Sequence, residues 1–477
     1  MSAPPTAAAW PGLPVCVAGL GVSGVAAAET LVRLGARVVA VDARSGQREL
    51  IRKALLEALG VTVGLGPAAV ELPAGTALVV TSPGWRPDAP LLVAAAAAGV
   101  PVWGEVELAW RLRPVGAAPW LAVTGTNGKT TTVRMLAAML TAAGHRTIAA
   151  GNVGTPLLAA VAARPAYDVL AVELSSFQLH WSSSVRPYAS ALLNVAPDHL
   201  DWHGSFAAYA AAKRMILRAD GPSFVNRDDP VAVELAAGHS EVRGFGLGRP
   251  APGDLGVVGD RLVDGSTGGA ADEDWRADLG GVELAGVGDV CPTGPHNVAN
   301  ALAAAGLARA FGVPATAVRH GLRTFSPDPH RNAHVATIGG VAYVDDSKAT
   351  NPHAAAASLS AYPSVVWVAG GLAKGASFDG LVAAAAGRLR GAVLLGADRG
   401  EIAVALRRHA PDLPVVEVAA TDTGAMDSVV RAAAALAGSG DTVLLAPAAA
   451  SMDMFTDYRE RGEAFAVAVR RLAGDSG

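Results

Sequence analysis

Short apolar runs rich in β-branched residues recur along the chain, and each precedes a Gly-rich turn and an Ala-rich stretch. The runs are Val15–Ala18, Arg37–Val41, Ala77–Val80, Leu121–Val123, Val169–Val172, Ser364–Val368 and Thr442–Leu445. Strands that alternate with helices in this way are typical of parallel sheets covered by helices. The pattern therefore predicts an α/β fold in which each domain has a mostly parallel sheet flanked by helices.

The chain length and two Pro-containing segments predict the domain organisation. At about 150 residues per domain, a chain of 477 residues corresponds to roughly three domains, each long enough to bury its own core. The segments Arg113–Pro119 and Ser326–His330 have the composition of joints between domains. We therefore predict domains at residues 1–116, 117–328 and 329–477.

The composition argues against several classes of protein. The formal charge is 38 − 42 = −4, which gives no electrostatic basis for binding nucleic acid. Cys16 and Cys291 are too few for a disulfide scaffold, as expected in a reducing cytoplasm. The apolar stretch Val15–Ala28 is typical of a strand, a turn and a helix, and no span approaches the roughly 20 apolar residues of a membrane helix. We expect a cytoplasmic protein that does not insert into a membrane.

One stretch differs in composition from the rest. Residues Gly248 to Gly281 are rich in Gly, Ala and Asp, with a hairpin pattern at Val257–Val263. We interpret this stretch as a surface excursion rather than a site.

A first glycine loop follows the earliest strand and opens a helix. It has the sequence Gly19-Leu20-Gly21-Val22-Ser23-Gly24, and Asp42 ends the next apparent strand. Glycines at these positions let backbone N–H groups approach a diphosphate at the N-terminus of a helix. A dinucleotide site with Asp42 on a ribose and a βαβ turn that binds nothing are both compatible with this pattern.

A second glycine loop gives a stronger signal. The strand Leu121–Val123 runs into Thr124-Gly125-Thr126-Asn127-Gly128-Lys129-Thr130-Thr131. Backbone amides of such a loop can surround phosphates, Lys129 can reach the β- and γ-oxygens, and the Thr130 hydroxyl can bind Mg²⁺. Two glycine loops indicate one site for ATP and another for a second phosphorylated ligand.

The segment Thr124–Thr131 resembles the nucleotide loop of the Mur ligase superfamily. Further segments that match the family are Gly151–Pro156, Glu173–Gln178, Asn194–Asp201, Tyr209–Lys213 and Gly294–Asn297 with Asn300. In the third predicted domain, Asp346–Asn351, Gly370–Gly375 and Ala450–Phe455 with Arg461 and Gly462 resemble the members that add D-glutamate. Motifs expected of the alanine-adding and diaminopimelate-adding members are missing from this part of the sequence.

The resemblance implies an ADP-forming amide ligase with three small-molecule substrates. ATP would activate the carboxylate of UDP-N-acetylmuramoyl-L-alanine as an acyl phosphate, and D-glutamate would displace the phosphate during synthesis of a peptidoglycan precursor. Rossmann-like domains at 1–116 and 329–477 would bind the UDP-linked substrate and the amino acid. A P-loop-type ATPase domain at 117–328 would bind ATP. We expect a monomer whose domains close on their ligands.

The resemblance also assigns residues to the two nucleotides. The ATP-binding residues would be Gly125, Thr126, Asn127, Gly128, Lys129, Thr130, Thr131, Asn297, Asn300, Arg331 and Asp346, with Arg331 at the γ-phosphate and Asp346 at the ribose. The UDP-substrate residues would be Gly21, Val22, Ser23, Gly24, Asp42, Arg44, Ser82, Gly84, Asn152, Ser175 and Gln178.

Metal binding depends on residues with competing structural interpretations. Glu173 ends a strand beside the phosphate loop, where a carboxylate can bind Mg²⁺ together with Thr130. His199 and His203 lack the glutamate of a zincin helix; the resemblance assigns His199 to a second Mg²⁺ and leaves His203 structural. Lys213 alone would be a solvated helix lysine, but the resemblance implies carbamylation by CO₂, which converts it into an anionic metal ligand. Burial would favour this reaction by lowering the lysine pKa.

The remaining roles concern catalysis and the amino acid. Catalytic residues would be Lys129, His199, Lys213 and Lys348, with Lys348 near the acyl phosphate. Thr350 and Lys374 would bind one carboxylate of D-glutamate, and Ser451 and Tyr458 the other, because a buried carboxylate without donors is costly.

Two departures and three alternatives accompany this interpretation. Asn332-Ala333 stands where the family often has an acidic pair, and Ala43 replaces a hydroxyl-bearing residue of some relatives.

The first alternative function, a folylpolyglutamate synthase, would lack the long N-terminal unit. A nicotinamide-dependent oxidoreductase would leave Thr124–Thr131, Glu173 and His199 unexplained. A non-catalytic UDP-sugar regulator would not need intact ATP, metal and lysine positions.

Overall fold

The structure is a computed structural model that describes residues 10–67, 71–265, 275–419 and 424–475. Within these ranges the strands form three mostly parallel sheets flanked by helices, which confirms the predicted α/β class. The chain has two compact units. One comprises residues up to Gly286 together with Asn300–Thr324 and holds two of the sheets, and the other comprises Val287–Ala299 with the residues from Phe325 onward. The predicted domain boundaries remain predictions.

The strands are numbered in chain order. They are β1 (Pro14–Ala18), β2 (Arg37–Asp42), β3 (Thr62–Leu65), β4 (Leu78–Thr81), β5 (Val102–Gly104), β6 (Trp120–Thr124), β7 (Thr147–Gly151), β8 (Val169–Glu173), β9 (Ala189–Leu192), β10 (Ser223–Asn226), β11 (Val242–Phe245), β12 (Leu255–Val258), β13 (Arg261–Asp264), β14 (Trp275–Arg276), β15 (Gly281–Gly286), β16 (Ala333–Ile338), β17 (Val341–Asp345), β18 (Val365–Gly370), β19 (Leu389–Leu395), β20 (Val415–Glu417) and β21 (Thr442–Leu445).

The α-helices follow the same order. They are α1 (Val22–Arg33), α2 (Gln47–Ala58), α3 (Pro90–Ala97), α4 (Glu105–Leu112), α5 (Lys129–Ala142), α6 (Leu157–Ala162), α7 (Ser176–His180), α8 (Leu200–His203), α9 (Phe206–Arg214), α10 (Pro230–Ala236), α11 (Pro295–Ala310), α12 (Ala315–Thr324), α13 (Pro352–Ser360), α14 (Asp379–Ala385), α15 (Arg399–His409), α16 (Ala425–Leu436) and α17 (Tyr458–Asp475). In the described part of the chain, no helix combines the length and hydropathy needed to cross a bilayer.

The first sheet has the strand order β3-β2-β1-β4-β5 and is parallel throughout. Its central strand β1 is apolar and buried along Val15–Ala18, as expected for a parallel strand covered on both faces. The turn from β1 into α1 depends on close backbone approach. A Cβ on Gly24 would lie 1.8 Å from the carbonyl oxygen of Gly19, so only glycine fits there without movement of the backbone.

The central sheet has the order β14-β15-β13-β12-β11-β10-β9-β6-β8-β7. The strands from β7 to β12 in this order are paired in parallel, whereas β13, β14 and β15 add antiparallel pairs beyond β12. The predicted hairpin at Val257–Val263 is confirmed by the pairing of β12 with β13. The interpretation of Gly248 to Gly281 as a mere surface excursion was wrong, because its described residues extend the sheet and bury Leu262 and Val263. The rest of this stretch, residues 266–274, lies outside the described residues.

The third sheet has the order β16-β17-β21-β18-β19-β20. Its edge strand β16 is antiparallel to β17, and the other pairs are parallel. In open parallel sheets of this kind, ligands bind beyond the carboxyl ends of the strands. The loops after β17, β18 and β21 therefore lie where ligands are expected, and these loops carry the family-like segments of the third predicted domain.

We predict that Gly24→Ala lowers the thermal unfolding midpoint, because overpacking against the backbone of Gly19 costs about 1–3 kcal/mol. Gly21→Ala is the matched control, since its Cβ would find only Ser82 Oγ at 4.0 Å. Calorimetry of both variants measures the effect. A Gly24→Ala protein as stable as the Gly21→Ala protein would contradict the prediction.

Candidate active site

The second glycine loop connects β6 to α5 in a shape that requires glycine. Gly128 has φ of 83°, and a Cβ there would lie 2.3 Å from Oδ1 of Asn300. The loop is also held from the neighbouring strand. Asn127 N–H donates to Asn194 Oδ1 at 2.8 Å, and Asn194 Nδ2 donates to the Asn127 carbonyl at 3.1 Å. Hydrogen bonds within the protein therefore hold the loop in this shape.

Lys129 lies over this loop. Its Nζ donates to the carbonyl oxygens of Gly125 and Thr126, both at 2.9 Å. The ammonium group thus lies beside the turn whose N–H groups are suited to phosphate. This arrangement is the one expected of a phosphate-binding lysine at the start of a helix.

Glu173 brings together the segments that follow three adjacent strands. It is the last residue of β8 and is buried. Its Oε2 accepts from Thr130 Oγ1 at 2.8 Å, and its Oε1 accepts from Asn152 Nδ2 at 2.7 Å. Thr130 follows β6 and Asn152 follows β7, so these predicted site residues do meet. The carboxylate and hydroxyl oxygens are donors that Mg²⁺ prefers.

Lys213 is buried on α9, with only 1% of its surface exposed. Its Nζ donates to the Gly125 carbonyl at 2.6 Å and lies 4.7 Å from the centre of the Tyr209 ring. Burial lowers the pKa of this amine well below its usual value, and the charge of Lys129 lowers it further, against Asp198 and Glu173. Because the neutral amine is the nucleophilic form, this environment favours reaction with an electrophile such as CO₂.

His199 is held in an unusual backbone conformation. Its φ of 53° lies in the left-handed region, and its ring packs on Phe177 with centroids 4.7 Å apart. Burial lowers the pKa of His199 although Asp198 opposes the shift, so the neutral imidazole needed by a metal is favoured. His203 instead has a partner within the protein, because its Nε2 lies 3.0 Å from Ser176 Oγ.

The predicted metal sites can be compared with the ligands that these residues offer. Among the residues that the structure describes, no group of three or more His, Cys, Asp or Glu side chains is arranged to hold a metal ion. Glu173, Thr130 and His199 supply donors of suitable chemistry. A divalent cation would need more oxygen donors, which bound phosphates and a carbamate on Lys213 can provide. These residues therefore fit a divalent cation only together with oxygen ligands from a bound molecule.

The first glycine loop is shaped by Asp42. Its Oδ2 accepts from the Leu20 N–H at 2.8 Å, and its Oδ1 accepts from the Arg44 N–H at 3.0 Å. Burial opposes ionisation of Asp42, yet hydrogen bonds from Arg44 and Leu20 hold its pKa below the usual value. Ser82 Oγ donates to the Gly19 carbonyl at 3.2 Å. Asp42 and Ser82 therefore fix the loop, and the Arg44 side chain is 65% exposed.

Ser175 and Gln178 form a capping box at the start of α7. Gln178 N–H donates to Ser175 Oγ at 3.2 Å, and Ser175 N–H donates to Gln178 Oε1 at 3.0 Å. Such reciprocal bonds fix the entry of the chain into a helix. These two predicted substrate residues thus share one rigid turn directly after Glu173.

In the second unit, loops at the ends of β18 and β21 are joined. Leu372 N–H donates to the Ala450 carbonyl at 2.8 Å, and Ala450 N–H donates back at 3.0 Å. This bridge brings the loop of Lys374 next to Ser451. Lys348, after β17, places its Nζ 4.2 Å from the centre of the Tyr458 ring.

Asp346 is buried and engaged by its own chain. It accepts hydrogen bonds from Ser358 Oγ and from the Asn332 N–H, and burial raises its pKa to about 6. The neighbouring Arg331 stands between two residues with positive φ, His330 at 64° and Asn332 at 48°. These values lie in a region that non-glycine residues rarely adopt.

Several structural contributors had no role in the sequence-based predictions. Asn194, Tyr209 and Arg461 lie inside the family-like segments, yet their chemistry gave no signal. Tyr209 OH lies 2.8 Å from Thr126 Oγ1. Buried Arg461 donates to Ser347 Oγ and to the Ser347, Gly370 and Ala449 carbonyls. Asn297 and Asn300, which were predicted to bind ATP, are buried on α11.

Sequence comparison finds matches along most of the chain. Residues 14–104 match the Mur ligase MurD-like N-terminal domain, residues 123–308 the Mur ligase middle domain, and residues 330–449 the Mur ligase glutamate ligase domain. The UDP-N-acetylmuramoylalanine–D-glutamate ligase of Thermobifida fusca (strain YX) is 62% identical, over 96% of this chain and 98% of the relative. The enzyme of that name from Streptomyces coelicolor is 60% identical, over 96% and 98%.

Solved structures share the fold at low identity. The UDP-N-acetylmuramate–alanine ligase of Thermotoga maritima matches with a TM-score of 0.57 and 18% identity, over 97% of this chain and 100% of that one. A pseudomurein peptide ligase type C from Methanothermus fervidus matches with a TM-score of 0.57 and 17% identity, over the same shares. At these identities the likeness concerns the fold alone.

We predict that Lys213→Met stabilises the protein by roughly 1–4 kcal/mol at low pH, because burying one ion costs several kcal/mol and the lost hydrogen bond to Gly125 offsets part of the gain. The folded-state pKa of Lys213 lies below its usual 10.5, so the wild type carries the cost of a buried charge at low pH and recovers stability as the pH rises toward 10.5. The gain should therefore shrink with increasing pH. Urea unfolding in metal-free, CO₂-depleted buffer between pH 6 and 9 measures it.

The control for this prediction is Lys53→Met, which removes a partly exposed lysine paired with Glu57 at 3.6 Å. A surface pair of this kind contributes about 0–1 kcal/mol, so little change is expected. A Lys213→Met protein less stable than the wild type at pH 6 would overturn the assignment of a desolvated amine.

Proposed function

This chain belongs to the Mur ligase family, and we propose that it joins D-glutamate to UDP-N-acetylmuramoyl-L-alanine with conversion of ATP to ADP and phosphate. The reaction would supply a peptidoglycan precursor and so contribute to cell-wall growth, cell shape and division. The proposal rests above all on one observation. A rigid phosphate loop, a carboxylate at Glu173 and the buried amine of Lys213 meet in one compact unit. The 62% identity to a ligase of that name supports the choice of substrates.

The first step activates the substrate carboxylate. A carboxylate oxygen attacks the γ-phosphorus of ATP, the bond from that phosphorus to the ADP oxygen breaks, and an acyl phosphate forms. Such a transfer depends on positioning and on neutralising charge. The N–H groups of Gly125–Thr131 and the ammonium group of Lys129 would orient the phosphates and offset their charge. Thr130 and Glu173 would hold one Mg²⁺, which would supply further electrostatic stabilisation when bound.

The second step forms the amide. The amine of D-glutamate attacks the acyl carbon, the bond from carbon to the phosphate oxygen breaks, and the nitrogen releases a proton. Lys348 would stabilise the phosphate that leaves. Thr350 and Lys374 would bind one carboxylate of D-glutamate, and Ser451 and Tyr458 the other. The joined loops of Lys374 and Ser451 support this assignment.

Lys213 would act after covalent modification. Its neutral amine forms a bond from nitrogen to the carbon of CO₂ and releases one proton, which leaves a carbamate anion. The low pKa of Lys213 and its burial beside Gly125 and Tyr209 support this reaction. The carbamate would give a second Mg²⁺ an anionic ligand beside His199.

The UDP-linked substrate would bind at the first glycine loop. Backbone N–H groups of Gly21–Gly24 would meet the diphosphate, Asp42 and Arg44 would frame the uracil, and Ser82 with Gly84 would line the pocket. Asn152 and Ser175 with Gln178 would reach the rest of the substrate.

The further assignments of Asn297, Asn300, Arg331 and Asp346 to ATP stay predictions. We propose that the protein acts in the cytoplasm, where ATP and nucleotide-linked precursors are found. We also propose that it acts as a monomer.

The test of this function is phosphate release in the presence of ATP, Mg²⁺ and UDP-N-acetylmuramoyl-L-alanine, with L- and D-amino acids supplied singly. Release should depend on D-glutamate, and mass spectrometry should find a product heavier by one glutamyl residue. L-glutamate is the matched control for the configuration of the amino acid. Release with a different amino acid would show that the protein adds that amino acid instead of D-glutamate. No release with any amino acid would refute the proposal.

The carbamate predicts a specific form of rescue. Lys213→Ala should lose at least a hundredfold in kcat, as general losses of a charge-stabilising group suggest, and added short carboxylic acids should restore part of the activity. Wild-type activity should rise with bicarbonate in CO₂-depleted buffer. If neither bicarbonate dependence nor rescue is found, the carbamate is excluded, while the ligase activity of the wild type would still stand.

A further inference from the structure

Two glutamates in the first turn of α4 are buried, although carboxylates are seldom fully buried without partners. Glu105 is 2% exposed and Glu107 is 0% exposed. Helix α4 directly follows β5 of the first sheet. Both carboxylates bind segments that connect strands of the central sheet, so their hydrogen bonds join the helix after the first sheet to these connections.

Glu105 caps a helix of the central sheet. Its Oε1 accepts from the Leu158 N–H at 2.8 Å, in the first turn of α6. Pro156, the N-cap residue of α6, gives that helix no side-chain cap. Because the first N–H groups of a helix lack partners within the helix, Glu105 supplies the acceptor that the local sequence lacks. Burial raises the pKa of Glu105 to about 7 against hydrogen bonds from Leu158 and Leu157.

Glu107 binds the segment that follows α7. It accepts from the backbone N–H groups of Ser183 and Ser184 at 2.9 and 3.0 Å, and from their hydroxyls at 3.1 and 2.6 Å. Arg111 Nε donates to it at 2.7 Å. Burial opposes ionisation, yet the hydrogen bonds from Ser184 and the charge of Arg111 hold the pKa of Glu107 below its usual value. This carboxylate is therefore ionised and fully bound.

Both anchored segments begin at residues proposed to bind the UDP-linked substrate. The chain from β7 to α6 contains Asn152, which donates to Glu173. The chain after β8 contains Ser175 and Gln178, and the Gln178 carbonyl accepts from Ser182 Oγ at 2.7 Å, next to the serines that bind Glu107. The glutamates thus bind the chain close to the turn of Asn152 and the turn of Ser175–Gln178. They lie on α4, which follows the last strand of the sheet that carries the first glycine loop.

We propose that Glu105 and Glu107 are positioning residues that set the turns of Asn152 and of Ser175–Gln178 at a fixed place relative to the first glycine loop. This role rests on the proposed function, because it assumes one substrate that spans from the first glycine loop to those turns. A third contact holds the start of α4 against the segment after α7. Gly104 N–H donates to the Trp181 carbonyl at 3.1 Å, and a Cβ at Gly104 would lie 3.0 Å from Trp181 Cβ.

The test compares steady-state kinetics of Glu105→Ala and Glu107→Ala with those of the wild type. The KM for UDP-N-acetylmuramoyl-L-alanine should rise about tenfold in each, an effect equal to about 1.4 kcal/mol. The KM for D-glutamate should change less than twofold, because its proposed ligands belong to the second unit. Glu105→Gln keeps a carbonyl acceptor for Leu158 and should restore the KM for the UDP-linked substrate.

Two further variants separate positioning from general stability. Asp168→Ala removes a carboxylate that accepts from the Arg146 N–H at 2.7 Å, at the opposite end of β8 from Glu173, and should leave every KM unchanged. Ser184→Ala removes one hydroxyl donor to Glu107 and should fold even if Glu107→Ala does not. We expect it to raise the KM for the UDP-linked substrate about threefold.

The possible outcomes differ for the two proposals. Suppose that the wild type is active and that the glutamate and Ser184 variants lose stability with every KM unchanged. This outcome would overturn the positioning role and leave the proposed function intact. A wild type with no release of phosphate would overturn the function and this role together. Hydrogen exchange gives a reading without turnover: Glu105→Ala should speed exchange at residues 151–158, and unchanged exchange there would also overturn the role.

Discussion

The carboxylate of Glu173 is the interaction on which the candidate site depends. It accepts from Thr130 and Asn152, so the segments after β6 and β7 share one carboxylate at the end of β8. Parallel strands bring their carboxyl ends to one edge, but the edge becomes a site only when the loops beyond it keep a fixed arrangement. A buried carboxylate with directed donors supplies this arrangement, because leaving any of these groups unpaired would be costly.

Two lysines lie close together at the second glycine loop. Lys129 and Lys213 both donate to the Gly125 carbonyl, and their charges oppose each other, since Lys129 lowers the pKa of Lys213. The lowered pKa of Lys213 eases this conflict, because it favours the neutral amine. An anionic ligand would resolve it differently, by offsetting the charge of Lys129. The same pair of lysines thus makes the loop attractive to phosphate and keeps one amine reactive.

The sequence predicted those features that have a local signature. Apolar runs gave the parallel strands, and the strand-turn-helix pattern gave both glycine loops and the place of Glu173. It failed where the cause is contact between distant segments. Nothing near Glu105 or Glu107 indicates that Leu158 and Ser183, more than 50 residues further along the chain, donate to them. The Gly-rich composition of residues 248–281 suggested an excursion, yet Leu262 and Val263 are buried because neighbouring strands receive them.

Arg461 has a consequence for the way in which the third sheet can open. It lies on α17 and donates to the carbonyl groups of Ser347, Gly370 and Ala449, which stand after β17, at the end of β18 and after β21. One guanidinium group therefore holds the ends of three strands, and loss of its contacts would leave several buried acceptors unpaired together. The three chain segments should consequently open as one cooperative unit rather than one by one.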